Sequence, residues 1–135
     1  EVFDMDGWQV QNLSNKDKYG ILATLSCNSG AFAETPFVKC RNEEYVLAKD
    51  KGFIAAIGPT TFGEVTSGFA FFHKLLYIIL DEKRNIRTIG DLINIAKQEM
   101  PHLGSYSTAV RYYYSLLGDP LLKIKIDTRV SGYYR

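Results

Sequence analysis

The sequence predicts an α/β domain, with an open, mostly parallel sheet flanked by helices. Three observations carry that expectation. The run Tyr19-Gly20-Ile21-Leu22-Ala23, closing into Thr24-Leu25-Ser26, has the length and apolar content of a buried strand. A second run, Gly52-Phe53-Ile54-Ala55-Ala56-Ile57, stops at Gly58-Pro59 after a stretch that mixes apolar and charged residues. Strand, helix, strand is by default a right-handed parallel crossover, which puts both strand C-termini on one edge. From Phe69 onward the apolar spacing turns helical. At 135 residues, 46% hydrophobic and 13% aromatic, the chain has the size and composition of one globular domain.

The elements follow in order. Residues 1–14 are mixed, with a short helix expected near Val10 to Leu13. Asn15-Lys16-Asp17-Lys18 is a polar turn into the strand 19–26. Residues 28–36 are small and turn-like, closed by Pro36, and 37–51 read as a surface helix. After strand 52–57, residues 58–68 form a loop on the edge that also receives Cys27. A helix over 69–80 carries Phe72, Leu75, Leu76, Ile79 and Leu80. Thr88-Ile89-Gly90-Asp91 has capping-box spacing, with Asp in place of Glu, and opens a helix that Pro101 ends. Ser107 caps a third helix through Leu117, stopped by Gly118-Asp119-Pro120. Leu121 to Asp127 alternates strictly, as a strand with one wet face does. Strand 19–26 is apolar throughout and is expected to be central, covered on both faces. So few other strands follow that further ones are expected from an upstream segment or from a partner chain.

Composition removes several function classes. Net charge is +1 and the basic residues form no stripe, so there is no electrostatic footprint for nucleic acid. The longest apolar stretch, Phe69 to Leu80, spans 12 residues and includes His73 and Lys74. That falls short of the ~20 residues of a membrane helix. Cys27 and Cys40 allow one disulfide but not a disulfide framework. No glycine-rich phosphate loop follows either strand, which removes a doubly wound nucleotide-binding domain. Two distant histidines make no metal site.

The chemistry points to one position. In open α/β sheets, ligands and reacting groups sit just beyond the carboxyl ends of strands. Cys27 lies there, ahead of Asn28-Ser29-Gly30, whose backbone N–H groups are available to a substrate. A thiol with its ordinary pKa near 8.5 needs a base or a positive dipole to act as thiolate at neutral pH. His73 falls inside the aromatic helix 69–80 and His102 follows Pro101. Neither ends a strand, so both read as surface or packing residues rather than the base. Cys40, among charges ahead of a helix, reads as structural. The loop after strand 52–57 should wall the pocket, with Phe62 packing on a substrate stem and Glu64 meeting a basic side chain.

These residues resemble a known family. Asn15-Lys16-Asp17-Lys18-Tyr19 running into Ser26-Cys27-Asn28-Ser29-Gly30-Ala31-Phe32 is similar to the nucleophile segment of gingipain-type cysteine peptidases. The likeness continues through Cys40 with Glu43, Lys51 to Gly58, and Leu117-Gly118-Asp119-Pro120-Leu121. It implies a three-layer α/β/α caspase-like fold, with residues 1–127 the C-terminal half of the peptidase domain and 128–135 a linker or tail. It implies Cys27 as nucleophile, with the Cys27 backbone N–H in the oxyanion hole. The base would be a histidine from a His-Gly pair upstream of Glu1, so the isolated chain is expected to be incomplete and inactive. It further implies a polypeptide substrate, no cofactor beyond the structural calcium some members carry, and secretion or a cell-surface location; the Arg or Lys preference of gingipains does not carry over, because their pocket residues do not align here. A sortase-like transpeptidase of the same family and a non-catalytic binding or scaffold module are the alternatives.

Overall fold

The computed structural model describes residues 8–33, 39–100 and 105–125. In chain order it contains α1 (Trp8–Gln11), β1 (Gly20–Ala23), α2 (Arg41–Val46), β2 (Phe53–Pro59) and α3 (Val65–Leu80). A single 3-10 turn (Glu82–Arg84), α4 (Ile89–Gln98), α5 (Ser105–Tyr113) and β3 (Tyr114–Leu117) follow. The described residues fall into two compact units, one within Glu1–Val65 and Tyr112–Gly118, the other within Thr66–Arg111 and Asp119–Arg135.

The first unit is built on a three-stranded sheet in the order β1-β2-β3. β1 runs parallel to β2, with Ile21 beside Ala55 and Ala23 beside Ile57. The ladder extends past β1 through the Thr24 N–H, which donates to the Ile57 carbonyl at 2.9 Å. The parallel pair that the strand–helix–strand pattern predicts is therefore present. Val10, Leu22, Tyr45 and Ala56 form the buried core, with Leu13, Val46, Phe53 and Leu117 packed around them. Tyr45 meets Phe53 edge to face at 5.6 Å between ring centroids, a favoured aromatic geometry. The turn at Asn15 is more than a polar linker. Its amide accepts from Gly52 N–H at 3.0 Å and donates to Gly52 O at 2.6 Å, pinning the entry to β2 as a strand neighbour would.

The second unit is helical. Phe71, Leu75 and Ile78 of α3 are buried, as are Ile89, Leu92, Ile93 and Ala96 of α4. Thr88 caps α4, its hydroxyl accepting from Asp91 N–H at 3.1 Å and donating to Asp91 Oδ2 at 2.8 Å. The N-cap that the spacing predicts is present, but the Asp91 carboxylate accepts from the cap's hydroxyl and not from its backbone N–H as a full capping box requires.

Several boundaries differ from the sequence expectation. β1 is four residues long and lies at one end of the described sheet, with Ile21 37% exposed rather than covered on both faces. α2 is six residues instead of the fifteen of 37–51. α3 begins at Val65, so the loop after β2 is only residues 60–64. Residues 114–117 are not the end of a helix but β3, antiparallel to β2, with Leu117 opposite Ala56 and Tyr114 opposite Pro59. A run as short as Tyr-Ser-Leu-Leu fits either periodicity, and the open edge of β2 offers its backbone a ladder. The alternating segment after Pro120 makes one isolated bridge, Lys123 to Thr88, where the start of α4 stops the pairing. Ile126 and Asp127, like the tail 128–135, lie outside the described residues.

Candidate active site

Cys27 follows β1 by four residues, and its thiol is exposed. The turn that carries it is tightly wound. Ser29 N–H donates to Ser26 O at 3.2 Å and Ala31 N–H to Asn28 O at 3.1 Å. Asn28 adopts φ 57°, a left-handed conformation that asparagine tolerates better than other non-glycine residues. Among the described residues the backbone N–H of Cys27 has no hydrogen-bond partner.

Buried polar side chains fasten this turn to the end of β2. Ser29 and Asn42 are 3% and 1% exposed. Thr24 Oγ1 lies 2.6 Å from Ser29 Oγ, 3.3 Å from Asn42 Oδ1 and 3.2 Å from the Ile57 carbonyl. Thr24 has one proton for three oxygen neighbours, so either hydroxyl can donate in the shortest contact. Asn42 N–H closes the ring onto Ser29 O at 2.9 Å. The cluster sits over Gly58, where a Cβ would collide with Asn42 Nδ2, Thr24 Oγ1 and Ser29 Oγ. Glycine at 58 is thus required by close approach. Sequence reading took the small polar residues after β1 for a turn and passed over Asn42. Their proximity in the chain hinted at Thr24 with Ser29, but nothing in the sequence pointed to Asn42.

The loop after β2 reaches the same place. Asn28 N–H donates to Thr61 O at 3.3 Å, Gly30 N–H to Pro59 O at 2.9 Å, and the Cys27 thiol to Gly63 O at 3.9 Å. The loop is anchored from below by Tyr113, whose carbonyl accepts from Thr60 N–H at 2.8 Å and Thr60 Oγ1 at 3.0 Å. Phe62 is 80% exposed at its tip, packed on nothing that would withhold it from a ligand. Glu64 is half-buried beside the Tyr113 phenol.

Two tyrosines set the electrostatics. Burial pushes the Tyr113 hydroxyl above its ordinary value; a hydrogen bond with the Glu64 backbone opposes the rise, and the Glu64 carboxylate and Cys27 add to it. Tyr114 is raised further, by burial first and then by Tyr113 and Cys27. Both phenols therefore stay neutral at neutral pH beside the thiol. Neither was singled out by sequence reading.

The remaining candidates lie elsewhere. Cys40 is a free cysteine at the N-cap of α2, where its N–H donates to Glu43 Oε2 at 2.8 Å. Burial, with help from Glu43, pushes its thiol up and away from reactivity, in keeping with a structural role. Cys27 is likewise free, so the two form no disulfide. His73 is exposed on α3, and His102 lies outside the described residues. Among the described residues no group of three His, Cys, Asp or Glu side chains is arranged to hold a metal.

The family model for peptidase family C25 matches residues 4–125. The chain belongs to peptidase family C25. Two solved structures are similar to it: a complex of Porphyromonas gingivalis RgpB pro- and mature domains, and the Arg specific cysteine proteinase gingipain R (RGPB). Each is 19% identical, with a TM-score of 0.79 over 88% of this chain. At that identity the likeness shows the fold, the caspase-like α/β fold of the gingipains. The match covers 29% of each of those chains, so this C25 segment spans under a third of their length. A search of curated protein sequences found no match.

Proposed function

We propose that this C25 chain carries the nucleophile half of a cysteine endopeptidase site, with Cys27 as the attacking residue. The observation that supports this reading is the placement of an exposed thiol on the turn after β1, 3.9 Å from the loop that leaves β2. The Cys27 thiolate attacks a peptide carbonyl, and the uncommitted Cys27 N–H donates to the oxyanion as it forms. A histidine from a segment upstream of this chain takes the thiol proton and returns it to the leaving amine. Water then resolves the thioester. Phe62 covers the side chain before the cleaved bond and Glu64 faces a basic residue there. A polypeptide substrate, no cofactor, and an extracellular or cell-surface setting belong to the same reading. Among the described residues no helix is long and apolar enough to cross a membrane.

The test is peptide turnover by the full-length protein with mass analysis of the products. Hydrolysis that Cys27→Ala abolishes supports the endopeptidase. Transfer of the acyl group to an added amine in place of water would indicate the transpeptidase variant. Substrate binding without turnover would indicate the non-catalytic module, and turnover that survives Cys27→Ala would remove the reading altogether.

A further inference from the structure

Gly63 stands between Cys27 and Tyr113. Its carbonyl accepts the Cys27 thiol at 3.9 Å, close to the longest separation at which sulfur donates a hydrogen bond. A Cβ added at Gly63 would lie 3.1 Å from Tyr113 Cε2 and 3.3 Å from both Cζ and the hydroxyl, so the far end of that ring closes the space beside the glycine. The ring itself is fixed. Tyr113 is 9% exposed and stacks at a tilt on Tyr114 with centroids 5.2 Å apart. Its hydroxyl is buried beneath the loop, beside the Glu64 backbone and carboxylate. The groups facing the thiol's surroundings are Tyr113 at the end of α5, Tyr114 of β3, and Glu64 of the loop.

We infer that Tyr113 is a positioning residue for the Cys27 nucleophile, acting through Gly63: the ring sets the height of the Gly63 peptide, and the carbonyl holds the thiol proton in the resting site. This rests on the reading of Cys27 as nucleophile and adds to it a device for restraint. While its proton is held by the Gly63 carbonyl, the thiol faces the loop and not an incoming electrophile. A displacement of a few tenths of an ångström at Gly63 takes its carbonyl out of reach of the sulfur. The resting thiol is therefore sensitive to the bulk of residue 63 and to the length of the side chain at 113, jointly.

The experiment measures the iodoacetamide alkylation rate of Cys27 at neutral pH in the full-length protein, mapped by peptide mass spectrometry. Gly63→Ala should raise that rate about threefold, the scale of one lost weak hydrogen bond. Adding Tyr113→Leu, which removes the ring end that the new methyl meets, should return the rate toward the parent's. If the Leu variant does not fold, Tyr113→Phe relieves only the hydroxyl contact and should return it in part. An unchanged or slower rate in Gly63→Ala, or a rise that neither second substitution reduces, overturns the inference while leaving Cys27 as nucleophile. Failure of Cys27 to alkylate in the parent protein would instead remove the site reading on which the inference stands.

Discussion

At the residue scale, the site depends on groups with no room to change. Gly58 lies under the Thr24–Ser29–Asn42 cluster, and a methyl there would drive apart three buried polar side chains. Gly58→Ala should therefore cost about 3 kcal/mol of stability, the upper part of the range for overpacking a tight site, read from denaturant midpoints. A loss under about 0.5 kcal/mol would mean that the cluster yields easily. Tyr113 and Tyr114 make a prediction in pH. Both hydroxyls are raised in the folded state, so the folded protein retains protons that the unfolded chain gives up. Their contribution is complete below the ordinary tyrosine value near 10 and declines as pH climbs through it toward the raised values. Denaturant midpoints measured between pH 8 and 11 should fall, and Tyr114→Phe should flatten that fall. An equal slope in the variant would argue against burial of this phenol.

At the element scale, α4 is held by its first turn and by its last. Thr88→Ala removes the acceptor for the Asp91 N–H and should cost about 1 kcal/mol by thermal or chemical unfolding, as N-cap losses do. Beyond the other end, the Glu99 carboxyl is held below its usual range by Arg84, with Lys74 adding a smaller share. A lowered carboxylate stabilises the fold above its ordinary value of about 4.3 and ceases to as pH falls through the lowered one. Arg84→Ala should thus be destabilising at pH 7 and less so as pH falls below the ordinary carboxylate range, and salt should narrow the difference because the pair is near the surface. An effect that neither acid nor salt reduces would assign Arg84 a packing role. The capping signal at Thr88 was legible because both partners lie within four residues. So were the two parallel strands and the position of Cys27, which follow from runs of apolar residues and from where such runs end. β3 was not legible, since Tyr114 to Leu117 satisfies helical and strand periods alike and only the vacant edge of β2 decides between them. The Asn15 clamp and the Asn42 contact were hidden for another reason. They join residues 37 and 18 positions apart, and no local pattern marks such pairs.

At the scale of the whole molecule, the described sheet has β1 at one end, with Tyr19, Ile21 and Leu25 more than a third exposed there. A strand of this composition is what a further sheet neighbour would cover. Membership of peptidase family C25 and a caspase-like fold are the setting, and the exposed thiol beside the β2 loop is the observation on which the proposed role of Cys27 rests. The proposed mechanism takes its base from a histidine outside this chain. Treating the full-length protein with an acyloxymethyl-ketone peptide probe asks for thiol, base and oxyanion donor at once, because that warhead reacts at an assembled site. The account predicts one adduct, on the sulfur of Cys27, abolished by Cys27→Ala. Labelling that persists undiminished in that variant, or an adduct mapped to Cys40, would contradict it.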